Sequence, residues 1–293
     1  MNRIIFTLSG NEQLGGRVTE FLQAERGEVT IRKFPDGESY VRLHSDVKGK
    51  NVIIVCTLHQ PDDKFLALYF FSKTARELGA AKITLIAPYL AYMRQDKIFL
   101  TGEAMTSEHF AKLLSLCVDE LITIDPHLHR RLSINEIYSI PCKVLHASEL
   151  ITNYIKNNID KPLLIGPDSE SSQWTAAVAA TANVPFIIMQ KERYGDKNVS
   201  ITVPDVFKYK DYTPVLIDDI ISTGHTMTET VKHLLKAGMK APVCIGVHAV
   251  FAPGANEELN KAGVYEIVTS NTIAHASNKI DVTELIVNAI NNG

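Results

Sequence analysis

Two adjacent carboxylates and a group of hydroxyls lie close together in the stretch T-P-V-L-I-D-D-I-I-S-T-G-H-T-M, residues 213–227. The acids are Asp218 and Asp219, which follow an apolar run. The small or polar residues Ser222, Thr223, Gly224, His225 and Thr226 come next. They lead into a segment with apolar residues at helical spacing. A strand, a loop and a helix start in this order offer hydroxyls, free backbone N–H groups and the positive end of a helix dipole. These features predict that a phosphate binds at residues 222–226.

The two carboxylates indicate which kind of phosphate compound would bind. Acids beside a phosphate repel it unless they face hydroxyl groups or a bound Mg²⁺, as on a sugar phosphate. A ribose 5-phosphate would satisfy both halves of the stretch. The alternative is that Asp218 and Asp219 end a buried strand while Ser222 or Thr223 caps the helix. The pattern differs from the glycine-rich nucleotide motifs G-x-x-x-x-G-K-[ST] and G-x-G-x-x-G.

Apolar, β-rich runs alternate with helical patterns along the chain, which predicts an α/β fold with mainly parallel sheets flanked by helices. Strands are predicted at 52–56, 83–87, 121–124, 163–165, 186–189, 215–217, 243–247 and 265–268. Helices are predicted at 64–78, 107–116, 172–182, 226–237 and 281–290. Ligands of such sheets bind beyond the carboxyl ends of the strands, where the Asp218 loop would lie.

Two segments, 51–90 and 214–250, share the order strand, loop, helix, glycine, strand. Any two βαβ units resemble each other in this way, so the order alone leaves a duplication open. If the two segments are copies, Cys56 and Thr57 occupy the positions of Asp218 and Asp219. The first copy would then have lost the sugar-phosphate site.

Composition excludes several classes of protein. The net charge of −3 over 293 residues gives no basic excess for nucleic acid. No apolar stretch reaches the ~18 residues of a membrane span and no secretory signal is visible, so we expect a cytoplasmic protein. The cysteines form neither a C-x-x-C pair nor a zinc-ligand spacing, and we expect reduced, mostly buried thiols. They are Cys56, Cys117, Cys142 and Cys244.

The stretch V-L-I-D-D-I-I-S-T-G-H-T resembles the phosphoribosyl-pyrophosphate motif of type I phosphoribosyltransferases and of ribose-phosphate pyrophosphokinases. Five further motifs are similar to those of the pyrophosphokinases: K-F-P-D-G-E at 33–38, P-Y-L-A-Y-M-R-Q-D at 88–96, D-P-H-L-H at 125–129, G-P-D at 166–168 and Q-K-E-R at 190–193. Nucleobase phosphoribosyltransferases lack the R-Q-D motif, and most of them have a single phosphoribosyltransferase domain. The pyrophosphokinase family is therefore the better match.

The resemblance implies an ATP site made by two segments. One is a hairpin with Phe34, Asp36 and Glu38, in which the aromatic ring stacks on adenine and the acids contact ATP from a neighbouring subunit. The other is the loop after strand 83–87, with Arg94, Gln95 and Asp96. By themselves, P-D-G predicts only an edge hairpin, and Arg94 with Asp96 only a solvated pair.

The resemblance also implies where the metal binds and which residues are catalytic. His127 and Asp168 would bind Mg²⁺, although a lone histidine is more often a structural hydrogen-bonding residue. Lys191 and Arg193 would lie on a mobile, glycine-containing loop and neutralise charge on the transferring β-phosphoryl group. Two cations at this spacing are otherwise usually just solvated.

The implied reaction joins ATP and ribose 5-phosphate to give AMP and 5-phosphoribosyl 1-pyrophosphate. The implied fold is two tandem type I phosphoribosyltransferase-like domains, residues 1–143 with the ATP site and 144–293 with the ribose 5-phosphate site, with the last helix a candidate to pack on the first. A homo-oligomer with shared sites is expected. The alternatives are a nucleobase phosphoribosyltransferase that consumes this product and a non-catalytic regulatory homologue. The regulatory alternative arises because Asp168-Ser169-Glu170-Ser171-Ser172 replaces the family's P-D-x-G-G loop.

Overall fold

The computed structural model describes residues 2–128, 130–167, 171–194, 198–202 and 206–292. The chain divides into two units: unit 1 comprises Met1–Leu145 with Thr283–Gly293, and unit 2 comprises His146–Val282. The sequence-based boundary between 143 and 144 lies close to this division. The C-terminal segment groups with the first unit, although it follows the second in the chain.

Unit 1 contains a six-stranded sheet in which neighbouring strands pair in parallel. Its strands are β1 (Arg3–Thr7), β2 (Glu25–Arg26), β5 (Asn51–Val55), β6 (Lys82–Ala87), β7 (Glu120–Ile124) and β8 (Cys142–Leu145), in the spatial order β2-β1-β5-β6-β7-β8. A separate antiparallel hairpin is formed by β3 (Val29–Lys33) and β4 (Ser39–Leu43). The helices are α1 (Glu12–Phe21), α2 (Asp62–Glu77), α3 (Thr106–Ser115) and the C-terminal α8 (Thr283–Asn291). Helix α8 packs against α1 and β8.

Unit 2 has a second six-stranded parallel sheet. Its strands are β9 (Pro162–Gly166), β10 (Phe186–Ile188), β13 (Thr213–Ile221), β14 (Val243–Ala249), β15 (Glu266–Ser270) and β16 (Asn278–Ile280), in the spatial order β10-β9-β13-β14-β15-β16. Its hairpin is formed by β11 (Gln190–Tyr194) and β12 (Asn198–Thr202). The helices are α4 (Ser148–Asn158), α5 (Ser172–Ala182), α6 (His225–Lys236) and α7 (Ala255–Ala262).

The two units share one chain path. Each runs from a first strand through a helix to an edge strand, then through a separate hairpin to the strand that pairs with the first on its other side. This path is β1-α1-β2 and then β5 in unit 1, and β9-α5-β10 and then β13 in unit 2. The spatial orders of the two sheets correspond strand by strand. The shared path supports a duplication and makes β5 the counterpart of β13.

The central strands are buried because helices cover a parallel sheet on its faces, and this is why they read as continuous apolar runs. The runs Val52–Val55 and Val215–Ile217 are buried, and so is every residue of β14. The predicted α/β fold with mainly parallel sheets is therefore confirmed. None of the helices in the described ranges is both long and apolar enough to span a membrane.

Candidate functional site

The two acids lie within β13 and not after it. Asp218 pairs with Gly246 of β14, and the strand continues to Ile221. The strand predicted at 215–217 was therefore too short, because pairing with β14 holds the backbone extended beyond the apolar run. Gly246 permits this pairing, since a Cβ atom there would lie 2.6 Å from Cγ1 of Ile221. Both carboxylates are half-buried near the carboxyl end of a central strand.

A short loop turns the chain from β13 into α6. Gly224 has a φ of +67°, in the left-handed region that favours glycine. The N–H of Ala252 donates to the carbonyl of Ser222 over 3.1 Å, which ties the loop to the segment after β14. The hydroxyl of Thr223 accepts from the N–H of His225 over 3.5 Å, a weak contact. The bond from Ala252 thus holds the loop backbone, while Thr223 and His225 remain exposed.

The start of α6 is open to an anion. Its first turn carries no acidic residue, and Gly224 at the N-cap position has no side chain to cap the first N–H groups. A helix start leaves N–H groups without intrahelical partners, and these groups and the helix dipole together favour bound negative charge. The hydroxyls of Ser222, Thr223 and Thr226 belong to the same segment. The arrangement suits a phosphate, as the sequence predicts.

The helix starts of unit 1 already carry their own acids. Asp62 and Asp63 lie in the first turn of α2, the counterpart of α6. Glu12 lies in the first turn of α1, and its carboxylate oxygens accept from the N–H of Gly10 over 3.1 and 3.2 Å. A carboxylate in the first turn of a helix repels a phosphate that approaches the helix start. Unit 1 therefore lacks the open helix start of unit 2.

The register of the strands identifies the counterparts of the two acids. Asn51 of β5 pairs with the first residue of β1, and Thr213 of β13 pairs with the first residue of β9. Counting along both strands from these pairs aligns Cys56 with Asp218, as the repeat suggested. Burial raises the pKa of the Cys56 thiol to about 12, so this position is uncharged at neutral pH. The Thr57 carbonyl accepts from the Lys64 ammonium over 3.0 Å.

The cysteines match the expectation of reduced, mostly buried thiols. All are free; Cys142 is half-buried and the other three are buried. Burial raises the pKa of Cys117 to about 11 and those of Cys142 and Cys244 to about 12. Thiols with such pKa values are protonated and unreactive at neutral pH, which argues against a catalytic cysteine.

The hairpin β3–β4 presents an exposed aromatic ring. Phe34 is 39% exposed, and the guanidinium carbon of Arg32 lies 4.6 Å from the centre of its ring. The N–H of Phe34 donates to the carbonyl of Glu38 over 2.8 Å, and Oδ1 of Asp36 accepts from the N–H of Glu38 over 3.1 Å. Gly37, with a φ of +92°, permits the tight turn. The hairpin predicted from P-D-G is confirmed.

The R-Q-D motif places its three side chains in different surroundings. Arg94 is exposed, and Gln95 is half-buried with its Oε1 accepting from the hydroxyl of Thr106 over 3.0 Å. The side chain of Asp96 is only 2% exposed, and its Oδ1 accepts from Nη1 of Arg130 over 2.9 Å. The Arg94 side chain is thus exposed to solvent, whereas Asp96 points into the protein.

His127 follows β7, the strand that pairs with β6 in the sheet of unit 1. Its imidazole is half-buried. Asp125 precedes it with a φ of +36°, which is strained for a residue other than glycine. The N–H of Asp125 donates to the carbonyl of Leu145 over 2.9 Å and holds this conformation. Because the loops with Arg94 and His127 both follow carboxyl ends of adjacent parallel strands, they lie at one edge of the sheet.

Three of the predicted residues fall partly or wholly outside the described residues. Asp168, the predicted second metal ligand, lies outside them, and no metal-binding cluster occurs among the residues that are described. Lys191 and Arg193 are described only by their backbone, which lies in β11 and pairs with Ile201 and Val199 of β12. The prediction of a loop there was wrong, because residues 190–194 and 198–202 pair as antiparallel strands. Ser171 precedes α5 without a side-chain cap.

The comparisons with known proteins agree in both halves of the chain. The family model described as the N-terminal domain of ribose phosphate pyrophosphokinase matches residues 3–117, and the phosphoribosyl transferase domain matches residues 133–284. A ribose-phosphate pyrophosphokinase of Saccharolobus solfataricus is 33% identical, over 92% of this chain and 93% of that protein. The chain belongs to the ribose-phosphate pyrophosphokinase family. The resemblance inferred from the motifs is confirmed.

Further ribose-phosphate pyrophosphokinases give the same result. Those of Pyrococcus abyssi and Pyrococcus furiosus are 34% and 32% identical, over 88% and 96% of this chain. A phosphoribosylpyrophosphate synthetase from Mycobacterium smegmatis, 24% identical, superimposes with a TM-score of 0.86 over 100% of both chains and shows the same fold. The expected fold of two phosphoribosyltransferase-like domains is confirmed. The two family matches contain both hairpins and the phosphate loop, whereas His127 lies between them.

Proposed function

We propose that this chain is a ribose-phosphate pyrophosphokinase that transfers the β,γ-pyrophosphoryl group of ATP to the 1-hydroxyl of ribose 5-phosphate. The products are 5-phosphoribosyl 1-pyrophosphate and AMP. The observation that carries the proposal is the difference between two duplicated units. Unit 2 keeps Asp218 and an acid-free start of α6, whereas unit 1 has the neutral Cys56 and an acidic start of α2.

The acceptor sugar binds to unit 2 in this proposal. Residues 222–226 bind its 5-phosphate through backbone N–H groups and hydroxyls at the start of α6. His225 stands where the family motif has a small residue or glycine, and it adds a side chain beside that phosphate. Asp218 and Asp219 accept hydrogen bonds from the ribose hydroxyls or bind the metal ion on them. These roles leave the 1-hydroxyl free to react.

ATP is the donor, and the residues proposed to bind it come from the first unit. The exposed ring of Phe34 stacks on the adenine, and Asp36 and Glu38 contact the nucleotide from a neighbouring subunit of a homo-oligomer. Arg94 and Gln95 bind the same nucleotide from the loop after β6. A planar, always charged guanidinium suits both a base and a phosphate.

Transfer of the pyrophosphoryl group needs positioning and charge neutralisation more than covalent chemistry. We assign the neutralisation to Lys191 and Arg193, whose cationic groups stabilise charge developing on the β-phosphoryl oxygens. His127 and Asp168 are the residues that would bind Mg²⁺, which polarises the phosphate oxygens. Mg²⁺ prefers oxygen ligands to imidazole, so carboxylate and phosphate oxygens would provide most of its remaining ligands.

The test is a coupled assay for AMP with ATP, Mg²⁺ and ribose 5-phosphate, with each component omitted in turn. We expect AMP only when all three are present. A chain that instead forms AMP from adenine and 5-phosphoribosyl 1-pyrophosphate would be a nucleobase phosphoribosyltransferase. The Lys191→Ala variant separates the regulatory alternative: an enzyme loses turnover and still binds ribose 5-phosphate, whereas a regulatory homologue is as inert before the substitution as after it.

A further inference from the structure

One ion pair joins the two loops that follow β6 and β7. Nη1 of Arg130 lies 2.9 Å from Oδ1 of Asp96, across a separation of 34 residues in the chain. The guanidinium carbon of the same arginine lies 5.6 Å from the ring centre of Phe99. Arg130 therefore contacts the loop after β6 at two points.

The two side chains of the pair differ in how deeply they are buried. The side chain of Asp96 is 2% exposed and that of Arg130 is 38% exposed. The second oxygen of Asp96, Oδ2, is buried without a hydrogen-bond partner among the described residues. A carboxylate in this position cannot reach a nucleotide that approaches from solvent, although its neighbours Arg94 and Gln95 are more accessible. Its charge is compensated inside the protein by Arg130.

Both loops contain strained backbone that needs such support. Tyr92 has a φ of +60° in the first loop and Asp125 has a φ of +36° in the second. A residue other than glycine keeps this conformation only where surrounding contacts enforce it, and such residues concentrate at functional sites. In the first loop the Tyr92 hydroxyl donates to the Asp62 carboxylate. The ion pair is a tertiary contact that acts on both loops together.

We propose that Asp96 is a positioning residue which, through Arg130, holds the Arg94–Gln95 loop and the His127 loop in a fixed arrangement. ATP phosphates and the metal ion that they share would then meet preset side chains from two loops. This role rests on the proposed function. It replaces the expectation from the R-Q-D motif that Asp96 itself contacts ATP.

Energetics favour a structural role for the charge. Removing one partner of a buried ion pair leaves an uncompensated buried charge and is strongly destabilising, whereas exposed pairs contribute little. Asp96→Asn keeps the shape of the side chain and removes the charge. Arg130→Met keeps most of the aliphatic stem of the side chain and removes the guanidinium group. These two variants, the double variant and Arg130→Lys therefore separate charge from volume.

Kinetics distinguish positioning from direct contact. We expect Asp96→Asn, Arg130→Met and the double variant to raise the KM for Mg-ATP and the half-saturating Mg²⁺ by about the same factor, roughly tenfold, because one shared interaction is lost in each. The KM for ribose 5-phosphate should stay within about twofold, and Arg130→Lys should restore most of the loss. Factors that multiply in the double variant would mean that Asp96 contacts ATP by itself and would overturn the proposal.

Hydrogen exchange gives a readout that does not need activity. In Asp96→Asn and Arg130→Met, amides of both loops should exchange about tenfold faster or more, because each loop loses the same tether. The control is Arg76→Met, which breaks the 2.9 Å Arg76–Asp119 ion pair elsewhere in unit 1 and should leave both loops and the KM for Mg-ATP unchanged. Faster exchange in only one loop overturns the proposal. If the unaltered chain releases no AMP, the proposed function fails, while the exchange result still decides whether the pair couples the loops.

Discussion

At the scale of single residues, the two units differ in charge at matched positions. Asp218 offers a half-buried carboxylate where Cys56 offers a thiol whose pKa burial raises to about 12. A carboxylate can accept hydrogen bonds from sugar hydroxyls or bind a cation, whereas a protonated, buried thiol does neither well. This difference at one strand position supports the proposal that the sugar binds to unit 2.

Neutralising either acid should weaken sugar binding. In Asp218→Asn and Asp219→Asn we expect the KM for ribose 5-phosphate to rise about 10- to 100-fold, since a hydrogen bond to a charged group contributes roughly 1.5–3 kcal/mol. The KM for Mg-ATP should change much less, and steady-state kinetics measure both constants. Asp211→Asn, at an exposed position before β13, is the matched control. Equal effects of all three substitutions would contradict the assignment.

At the scale of secondary-structure elements, the helix starts of the two units differ in charge. In unit 1 the starts of α1 and α2 carry Glu12 or Asp62 and Asp63, which satisfy the helix dipole internally. In unit 2 the start of α6 has no acid, so this helix lacks that stabilisation and its first N–H groups have no carboxylate in their own first turn. An acid at the start of α6 would thus stabilise the helix and oppose the binding of an anion.

An acid placed at the start of α6 should show both effects. His225→Asp should raise the dissociation constant for ribose 5-phosphate more than about 100-fold through repulsion, and should stabilise the unliganded protein by roughly 0.3–1 kcal/mol. Calorimetric titration and thermal unfolding measure the two effects. His225→Asn removes the imidazole without adding charge and should bind far better than His225→Asp. Tight binding by the aspartate variant would rule out a phosphate at this helix start.

The elements also show where sequence patterns succeed and fail. Each predicted strand and helix overlaps an observed one, because long apolar or amphipathic runs determine these elements locally. Helix α1 was missed because it contains two glycines, which disfavour a helix by about 1 kcal/mol each. Gly15 is required by packing, since a Cβ atom there would lie 2.0 Å from Oγ1 of Thr7. Such a contact between distant residues leaves no local signal.

The candidate site was predictable in the same uneven way. The motifs predicted ligand contacts for Phe34, Arg94 and the 222–226 loop, and of these residues Phe34, Arg94, Thr223 and His225 are exposed. Asp96 was grouped with the ATP-binding residues because the motif places it next to them in sequence. Its partner, Arg130, lies in another loop. A side chain's direction depends on tertiary contacts that a linear motif does not encode.

At the scale of the whole molecule, each unit is proposed to contribute residues for one substrate. Unit 1 contains Phe34 and Arg94 for ATP, and unit 2 contains the 222–226 loop for the sugar. The expected sharing of Phe34 between subunits would make activity depend on a homo-oligomer. The site of a chain without its own hairpin would then be completed by the hairpin of a neighbour.

Mixing two inactive variants tests this sharing. Phe34→Ala and Lys191→Ala should each lose most activity, and equal mixtures refolded together should regain up to about a quarter of it, because half of randomly formed dimers contain one intact site out of two. AMP release measures the recovery, and mixing without refolding is the control. No recovery, with mixed oligomers demonstrated by mass, would contradict a shared site.

The central claim concerns which group leaves ATP and where it goes. Phosphorus NMR of a mixture of the chain with ATP, Mg²⁺ and ribose 5-phosphate follows every phosphate at once. The account predicts that AMP and 5-phosphoribosyl 1-pyrophosphate appear in equal amounts, and that neither forms when ribose 5-phosphate is left out or the metal is chelated. Formation of ADP, or no change in the spectrum of ATP, would contradict it.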